Sequence, residues 1–216
     1  IVLEPRFDPE DLLQLTERHR VTHMHMVPTM FVRLLRLPDD VKRRYDVSSL
    51  RFIVHGAAPC PPQVKRAMIE WWGPVINEYF GSTETGIPVW HSAEEALAKP
   101  GTVGRAIPGV ELRIAEDGEI LARGPNIMSG YYNKPDATAE ALKDGWFHTG
   151  DIGTIDEEGY LRITDRKKDL LVTSGGKKIA PQPIEGVIKR NPLVAEAVLL
   201  GDGRHFARFG REGDPD

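Results

Sequence analysis

The sequence contains little cysteine, no long apolar run and no excess of positive charge. Cys60 is the only cysteine among 216 residues, so no disulfide bond can form within the chain. No apolar stretch approaches the ~20 residues that a membrane-spanning helix needs, and no signal peptide is recognisable. The formal net charge of −4 gives no basic field that would attract nucleic acid. We therefore expect a cytoplasmic chain without a membrane span or a nucleic-acid partner, and leave peripheral membrane association open.

The length and the two ends of the chain bear on its domain content. A chain of 216 residues accommodates one large domain or two smaller ones. It begins with Ile1 rather than Met, and residues 201–216 show neither helix nor strand periodicity. We expect the sequence to be a piece of a longer protein, with an end that is unfolded or cut short.

The clearest architectural signal is a strand–helix–strand pattern. Residues 51–54 are typical of a strand, small residues form a loop over 55–60, and apolar residues at helical spacing occupy 61–72. A second strand covers 75–79. Such a βαβ unit is almost always a right-handed crossover between parallel strands. The loops at 55–60 and 80–86 are therefore predicted to leave the same edge of one sheet, where open α/β sheets bind their ligands.

The stretch that leads into the second loop carries the chemistry of a nucleotide site. Its sequence, Asn77-Glu78-Tyr79-Phe80-Gly81-Ser82-Thr83-Glu84-Thr85-Gly86, combines aromatic rings, glycines, hydroxyls and carboxylates. An aromatic face can stack on a base, glycine lets the backbone approach a phosphate, and a carboxylate supplies a hard oxygen ligand for Mg²⁺. The alternative interpretation of this stretch is a solvated turn that follows a strand.

Two other groups of residues give weaker signals. His23 and His25 share one face of a predicted strand over 21–27, but no third ligand lies near them in sequence, which disfavours a metal site. A packed or surface histidine is the more frequent alternative. Cys60 adjoins the first loop without a basic neighbour, so we interpret it as a packing residue rather than a nucleophile.

The pattern of the sequence changes after residue 100. Short alternating segments and the hairpin signal Asp117-Gly118 predict a small, mostly antiparallel β subdomain. The charged run at 164–169 lies between two apolar strands, which is typical of a solvated turn or of a domain boundary. We thus predict an α/β fold in which a βαβ-containing parallel sheet is followed by the antiparallel β subdomain and by the start of a small α+β C-terminal domain. The predicted domains are 1–164, divided into 1–100 and 101–164, and then 165–216.

Five motifs in a fixed order give the chain a resemblance to a known family. They are Gly56-Ala57-Ala58-Pro59; Phe80-Gly81-Ser82-Thr83-Glu84; Gly130-Tyr131-Tyr132 followed by Asn133-Lys134-Pro135; Gly145-Trp146-Phe147-His148-Thr149-Gly150-Asp151; and Asp165-Arg166-Lys167-Lys168-Asp169. Over residues 21–203 the chain resembles the adenylate-forming, or AMP-binding, enzymes, which include acyl-CoA synthetases, luciferases and the adenylation domains of peptide synthetases. The fourth motif and Ser174-Gly175-Gly176 make it look most like a fatty acyl-CoA synthetase.

The resemblance implies a two-step reaction that uses ATP, Mg²⁺ and coenzyme A. A carboxylate attacks the α-phosphate of ATP to give acyl-AMP, and the thiol of coenzyme A then displaces AMP. By the same resemblance, Thr83 bonds the α-phosphate and Glu84 holds Mg²⁺. Asp151 accepts both ribose hydroxyls, and Phe80 stacks on adenine where the family more often has Tyr. The implied nucleotide-binding residues are Gly56, Ala57, Ala58, Phe80, Gly81, Thr83, Asp151 and Arg166.

The resemblance also implies an acyl pocket, a hinge and a coenzyme A site. His25 and His55 would line the acyl pocket, and Lys168 would be the hinge about which the C-terminal domain turns between the two half-reactions. Ser174, Gly175 and Gly176 would line the pantetheine tunnel. The family's phosphate-binding loop and its C-terminal lysine have no counterpart in this sequence. We therefore expect the chain to be inactive without the remainder of the enzyme.

The sequence leaves two alternatives to a coenzyme A ligase open. The acyl group could pass to the thiol of a carrier protein, or the chain could be a non-catalytic scaffold that binds a nucleotide. The residues specify neither the length of the acyl chain nor the oligomeric state.

Overall fold

The computed structural model describes residues 1–188, 194, 197–204 and 207–209. These residues form an α/β fold with one mixed five-stranded sheet, a second antiparallel sheet and two short β-hairpins. The predicted fold class is confirmed. In this part of the chain, no helix is both long and apolar enough to span a bilayer.

The first sheet has the strand order β1-β2-β3-β4-β5. Its strands are β1 (His23–Met26), β2 (Phe52–His55), β3 (Ile76–Ser82), β4 (Gly86–His91) and β5 (Arg105–Ala106). β1, β2 and β3 pair in parallel, whereas β4 is antiparallel to both β3 and β5. Helix α4 (Pro62–Trp72) connects β2 to β3, so the predicted βαβ unit is confirmed.

The helices of the first half bury their apolar faces against this sheet. They are α1 (Pro9–His19), α2 (Pro28–Leu35), α3 (Asp39–Lys42), α4 and α5 (Ala93–Ala98). Their shared core includes five side chains that are at most 1 % exposed, namely Leu13, Phe31, Leu34, Met68 and Ile76. Each side chain of this size stabilises the fold by about 1.5–3 kcal/mol relative to its exposed state.

Side chains cap the first turns of two of these helices. The side chain of Asp8 accepts hydrogen bonds from the amides of Glu10 and Asp11 at 3.0 and 3.1 Å, which satisfies donors that the first turn of α1 leaves free. Ser92 and Glu95 form a reciprocal capping box at the start of α5. These caps fix the residues at which α1 and α5 begin.

The predicted loop at 80–86 is shorter in the structure. β3 continues to Ser82, and only Thr83, Glu84 and Thr85 form the turn into β4. The reason is that β4 returns directly beside β3 and pairs with it, with Phe80 opposite Val89 and Ser82 opposite Gly86. Phe80 and Gly81 are therefore held on a strand rather than in a free loop.

The second sheet has the order β10-β9-β7-β6, with β8 paired to β9. Its strands are β6 (Glu111–Ile114), β7 (Glu119–Arg123), β8 (Leu142–Lys143), β9 (Trp146–Ile155) and β10 (Leu161–Arg166), and α6 (Pro135–Ala141) precedes β8. All of these pairs are antiparallel, and the turn between β6 and β7 contains Asp117-Gly118, as predicted. β5 lies within the predicted β subdomain in sequence but belongs to the first sheet.

The segment after β9 differs from the prediction at the charged run. Thr164, Asp165 and Arg166 continue β10 instead of forming a turn, because β9 supplies backbone partners as far as Asp151. A short 3-10 helix (Lys167–Asp169), β11 (Leu171–Val172), β12 (Lys178–Ile179) and α7 (Pro181–Ile188) follow. The carboxylate of Asp165 is 1 % exposed and accepts the amide of Gln182 at 3.1 Å, which joins β10 to the first turn of α7.

Two short strands end the described chain. β13 (Leu199–Leu200) pairs with β14 (Arg208–Phe209), so the prediction that residues 201–216 contain no strand is wrong at 208–209. Residues 205, 206 and 210–216 lie outside the described part of the chain.

Candidate active site

A cavity of about 1340 Å³ brings most of the predicted nucleotide-binding residues together. The loop after β2, the end of β3, the turn into β4, and strands β9 and β10 all contribute to its wall. The sequence-predicted residues that line it are Ala57, Ala58, Phe80, Gly81, Glu84, Asp151, Arg166 and Lys168. It lies at the carboxyl ends of β2 and β3, the edge at which α/β sheets bind their ligands.

The loop after β2 has an unusual backbone conformation at the cavity wall. Ala57 has a φ of 67°, in the left-handed region that L-residues other than glycine seldom adopt. Such a conformation costs of order 1–3 kcal/mol and persists only where the surroundings enforce it. Gly56 packs beneath the ring of Tyr79, since a Cβ at Gly56 would lie 2.7 Å from two ring atoms. The loop is therefore held against β3.

The turn from β3 to β4 places a carboxylate at the cavity. Oε1 of Glu84 accepts a hydrogen bond from the Tyr131 hydroxyl at 2.9 Å. Hydrogen bonding from Ser82, then from the backbone and from Tyr131, holds the pKa of Glu84 below its ordinary value, so this carboxylate is ionised at neutral pH. Thr85 is 2 % exposed, and its Oγ1 accepts the amide of Ser82 at 2.9 Å, which closes the turn.

Gly81 permits this turn because its Cα approaches the opposite strand closely. A Cβ at Gly81 would lie 1.9 Å from the carbonyl oxygen of Gly86. We expect Gly81→Ala to lower the free energy of unfolding by about 1–3 kcal/mol, measured by urea denaturation, because the hairpin must open to admit the methyl group. Gly175→Ala is the matched control, since nothing lies within 4 Å of the position that its added methyl group would occupy. Equal stability of the two variants would contradict this close packing.

Asp151 and Arg166 face one another on the paired strands β9 and β10. They are register partners, and Nε of Arg166 lies 3.5 Å from Oδ1 of Asp151. Burial raises the pKa of Asp151 above its ordinary value, an effect that the Arg166 charge opposes. An acceptor-only carboxylate beside a guanidinium can bind a pair of hydroxyl groups. Lys168 also reaches the cavity wall, from the 3-10 helix that follows β10.

A second cavity, of about 540 Å³, lies on the other side of the β3–β4 hairpin. His25 lines it, with its Nε2 3.1 Å from the hydroxyl of Tyr79. The rings of Phe52 and Trp90 stack in its wall, with centroids 5.7 Å apart. Thr83 lines this cavity and not the larger one, so the structure separates it from Asp151 and Arg166. Tyr79, Gly81 and Ser82 contribute to both cavities.

His55, which the resemblance places in an acyl pocket, lines neither cavity. Its side chain points into the core and is 0 % exposed, with its ring edge against Phe31 at a centroid distance of 5.1 Å. The reason is the alternation of side chains along β2, which turns His55 and Ile53 to the helix-covered face. Burial lowers the pKa of His55 to about 4, although the Glu78 carboxylate acts in the opposite direction.

The buried neutral imidazole predicts a dependence of stability on pH. Because the folded-state pKa of His55 lies near 4 and its ordinary value is 6.5, the unfolded chain binds the proton more readily between these limits. Stability is therefore full above pH 6.5 and falls as the pH drops toward 4. We expect this residue to account for a loss of about 2 kcal/mol between pH 7 and pH 5. Urea denaturation at both pH values should show that loss, and His55→Leu should reduce it. An unchanged pH dependence in the variant would contradict the assignment.

The sequence did not predict a buried polar network that lies next to His55. Lys65 of α4 forms an ion pair with Glu78 of β3, and both side chains are at most 6 % exposed. Oε2 of Glu78 also lies 3.3 Å from Nδ1 of His91, and Nε2 of His91 lies 3.3 Å from the Thr102 hydroxyl. The spacing of the two residues could have predicted their burial. Lys65 precedes the buried Met68 by one helical turn, and Glu78 lies on the same face of its strand as the buried Ile76.

The remaining candidates lie away from the cavities or have no reactive environment. Ser174, Gly175 and Gly176 are exposed in the turn between β11 and β12 and line neither cavity. Cys60 lines the larger cavity, but burial raises the pKa of its thiol to about 12, so it is protonated at neutral pH. No cluster of three or more His, Cys, Asp or Glu side chains in the described residues could hold a metal ion by itself.

Comparison with known families identifies the family of this chain. Residues 1–132 match the family described as AMP-binding enzyme, and residues 168–208 match the AMP-binding enzyme C-terminal domain. The chain therefore belongs to the AMP-binding enzyme family, and the resemblance seen in its motifs is confirmed.

Its relatives include several acid–CoA ligases. The chain is 43 % identical over 199 residues to the 3-[(3aS,4S,7aS)-7a-methyl-1,5-dioxo-octahydro-1H-inden-4-yl]propanoyl:CoA ligase of Mycobacterium tuberculosis, covering 90 % of this chain and 39 % of that protein. It is 35 % identical over 213 residues to a long-chain-fatty-acid–CoA ligase of Bacillus subtilis, covering 93 % of this chain and 37 % of that protein. The chain thus spans well under half the length of these relatives.

Solved structures share the fold. The amide bond synthetase McbA from Marinactinospora thermotolerans superimposes with a TM-score of 0.85 at 31 % identity, over 100 % of this chain and 48 % of that chain. The o-succinylbenzoate coenzyme A synthetase MenE from Bacillus subtilis, solved in complex with ATP and magnesium ion, gives 0.80 at 34 % identity, over 95 % of this chain and 44 % of that chain.

Proposed function

We propose that this chain is part of an ATP-dependent ligase that activates a carboxylic acid as its acyl-adenylate and transfers the acyl group to coenzyme A. The observation that carries the proposal is the convergence of Phe80, Glu84, Asp151 and Arg166 on one cavity. An aromatic ring, an ionised carboxylate and a carboxylate–guanidinium pair are the groups that a base, a metal-bound phosphate and a ribose require. Membership of the AMP-binding family supports the same assignment.

The reaction proceeds in two displacements. A carboxylate oxygen of the acid attacks the α-phosphorus of ATP, a bond forms between that oxygen and phosphorus, and pyrophosphate leaves. The sulfur of coenzyme A then attacks the acyl carbon, and the bond to AMP breaks. Little covalent chemistry is required of the protein, whose task is to position the reactants and to balance charge.

The roles are those that the resemblance implies, and the positions of the side chains around the larger cavity support them. Phe80 contacts the adenine, Asp151 accepts the ribose hydroxyls, and Arg166 reaches the ribose from the paired strand. Ala57 and Ala58 line the same wall. Thr83 lies on the far side of the hairpin, beside the smaller cavity, where it would meet the junction of the acyl group and the α-phosphate. His25 would contact the acid in that smaller cavity.

Glu84 fits the requirements of Mg²⁺. The ion is usually held by one or two carboxylates together with substrate phosphates and water, and therefore needs no dedicated cluster of acids. Glu84 is ionised and faces the cavity, with Tyr131 fixing one of its oxygens. Bound there, Mg²⁺ would neutralise charge on the phosphates.

The boundary between the two domains is proposed at residues 164–165, with the hinge at Lys168. Lys168 lies on the exposed 3-10 helix that leads from β10 into β11, and a few residues at such an element boundary can absorb a domain rotation. Rotation there would bring the turn that contains Ser174, Gly175 and Gly176 toward the cavity for the transfer to coenzyme A. A fatty acid is the proposed acid, in line with the wording of the fourth motif.

The test is acid-dependent exchange of labelled pyrophosphate into ATP by the full-length protein that contains this chain. A panel of acids should include a long-chain fatty acid and 2-succinylbenzoate, since relatives act on each. We expect exchange with at least one acid and a thioester product only when coenzyme A is added. Transfer to a carrier-protein thiol instead would replace the acceptor. A folded full-length protein without exchange for any acid would support the scaffold alternative and overturn the proposal.

A further inference from the structure

Glu119 of β7 joins three elements around the proposed ribose site. Its carboxylate is 4 % exposed. Oε1 accepts the backbone amide of Gly150 at 3.0 Å, and Oε2 accepts hydrogen bonds from Nδ1 of His148 at 2.9 Å and from Nζ of Lys167 at 2.8 Å. Because an ionised carboxylate can only accept, the Nδ1 atom of His148 carries the proton. Neither the motifs nor the proposed mechanism uses this residue.

The first contact controls the backbone that presents Asp151. The pairing of β7 with β9 shifts register between Glu119 and Leu121, so that β9 carries an irregularity at residues 149–151. Gly150 has a φ of 74° at this point. Thr149 closes the irregularity from the other side, because its hydroxyl donates to the carbonyl of Ile120 at 2.7 Å and accepts the amide of Asp151 at 3.1 Å. The Glu119 carboxylate thus binds the backbone N–H of Gly150, the residue directly before Asp151.

The contact between Glu119 and Lys167 lies next to the end of β10, the strand that carries Arg166. Lys167 follows Arg166 directly, and its ammonium group lies 2.8 Å from both Glu119 and Asp117. Glu119 therefore anchors the residue before Asp151 and the residue after Arg166 at the same time. Asp117 shares the contact with Lys167, and its Oδ1 accepts the backbone amide of Glu119 at 3.2 Å, a bond that an asparagine oxygen can also accept. Among the hydrogen bonds of the described chain it makes none with His148 or Gly150.

The charge of Glu119 is maintained by these donors. Burial opposes its ionisation, but the hydrogen bonds from Lys167, His148 and the Gly150 amide outweigh that effect and hold the pKa of Glu119 below its ordinary value. A buried carboxylate is retained only where donors compensate its desolvation. For Glu119, all three donors come from segments next to ribose-site residues.

We propose that Glu119 is a positioning residue for nucleotide binding, which keeps Asp151 and Arg166 facing each other through the Gly150 amide and Lys167. This inference rests on the proposed function of Asp151 as the acceptor of the ribose hydroxyls. It places the residue that shapes the ribose site on β7, a strand that contributes neither of the two ribose-binding side chains.

The test compares Glu119→Gln with the matched control Asp117→Asn. In the full-length protein that contains this chain, calorimetry measures the binding of AMP and of 2′-deoxy-AMP, and hydrogen exchange followed by mass spectrometry measures the protection of residues 146–152. We expect the wild-type chain to prefer AMP by about tenfold, since a hydrogen bond to a charged group is lost with the hydroxyl. In Glu119→Gln this preference should fall below about threefold, because Asp151 is no longer held in place. Residues 146–152 should also exchange faster, whereas Asp117→Asn should retain both properties.

The ratio of the two affinities separates positioning from a general loss of stability. A variant that is merely less stable binds both nucleotides more weakly and keeps their ratio. Lys167→Met provides a second variant that leaves the Gly150 contact intact, and its preference should fall to a value between those of wild type and Glu119→Gln. An unchanged preference in Glu119→Gln would overturn the inference, whether or not residues 146–152 exchange faster. A wild-type chain that binds AMP and 2′-deoxy-AMP equally would instead overturn the ribose role of Asp151.

Discussion

Replacing Lys65 by methionine should lower the free energy of unfolding of this chain by about 3–5 kcal/mol. Lys65 and Glu78 form an ion pair in which both side chains are at most 6 % exposed. Removing the ammonium group leaves the Glu78 carboxylate buried, and its hydrogen-bond partner among the described residues is then His91 at 3.3 Å. An unpaired buried charge costs far more than the pair itself contributes, and that cost accounts for the size of the effect. Urea denaturation at pH 7 measures it.

The matched control lies on the same helix. Arg66 directly follows Lys65 but is exposed, so Arg66→Met should change the free energy of unfolding by no more than about 0.5 kcal/mol. The double variant Lys65→Met/Glu78→Leu should recover part of the loss, because it buries no charge. If Lys65→Met proved as stable as Arg66→Met, the buried pair would not contribute in the way the structure indicates.

Substitution of Asp151 by alanine should weaken AMP binding by at least about 100-fold. Each ribose hydroxyl that donates to a carboxylate contributes roughly 1.5–3 kcal/mol, and the proposal assigns two such hydroxyls to Asp151. The substitution also leaves Arg166 without its partner at 3.5 Å. Isothermal calorimetry gives the affinity, and circular dichroism of the same samples verifies that the variant remains folded.

Asp136→Ala is the control for Asp151→Ala. Asp136 lies exposed in the first turn of α6 and does not line the larger cavity. Its substitution should leave the affinity for AMP unchanged. Equal affinities of the two variants would place the nucleotide elsewhere on the chain.

The parallel part of the fold could be predicted from the sequence because its signals are local. The pattern of strand, loop of small residues, amphipathic helix and strand specifies a crossover, and the handedness rule then puts the loop after β2 and the turn after β3 at one edge. The hairpin at Asp117-Gly118 was equally predictable, because an Asp-Gly pair favours a tight turn with a left-handed glycine. In the structure Gly118 has a φ of 89°.

The features that the sequence did not predict depend on contacts between distant residues. A charged run such as 164–166 is typical of a turn, yet β9 pairs with it and the Gln182 amide satisfies the buried carboxylate of Asp165. In the sequence, Lys65 and Glu78 are residue types that usually lie at the surface. In the structure, α4 and β3 bring them together as a buried pair. The local pattern carries no information on such partners, because they lie elsewhere in the chain.

The structure brings several of the predicted nucleotide-binding residues to one cavity, and their roles stay a prediction. Ala57, Phe80, Asp151 and Arg166 line one cavity, as the order of their motifs suggested. Side chains alternate between the two faces of a β-strand, and on β2 this alternation turns His55 into the core. His25, on β1, lines the smaller cavity. The role of Glu119 could not be predicted from the sequence, because its hydrogen-bond partners are distant in sequence. They become its neighbours only in the folded chain, where β7, β9 and Lys167 come together.

Photolabelling with 8-azido-AMP tests most directly whether the larger cavity is a nucleotide site. After irradiation, peptide mapping by mass spectrometry locates the covalent adduct on the chain. We predict adducts within residues 56–60 or 76–82, the segments that form the proposed adenine wall, and their loss when excess AMP competes. Adducts confined to other segments, or labelling that excess AMP does not reduce, would contradict a nucleotide site in this cavity.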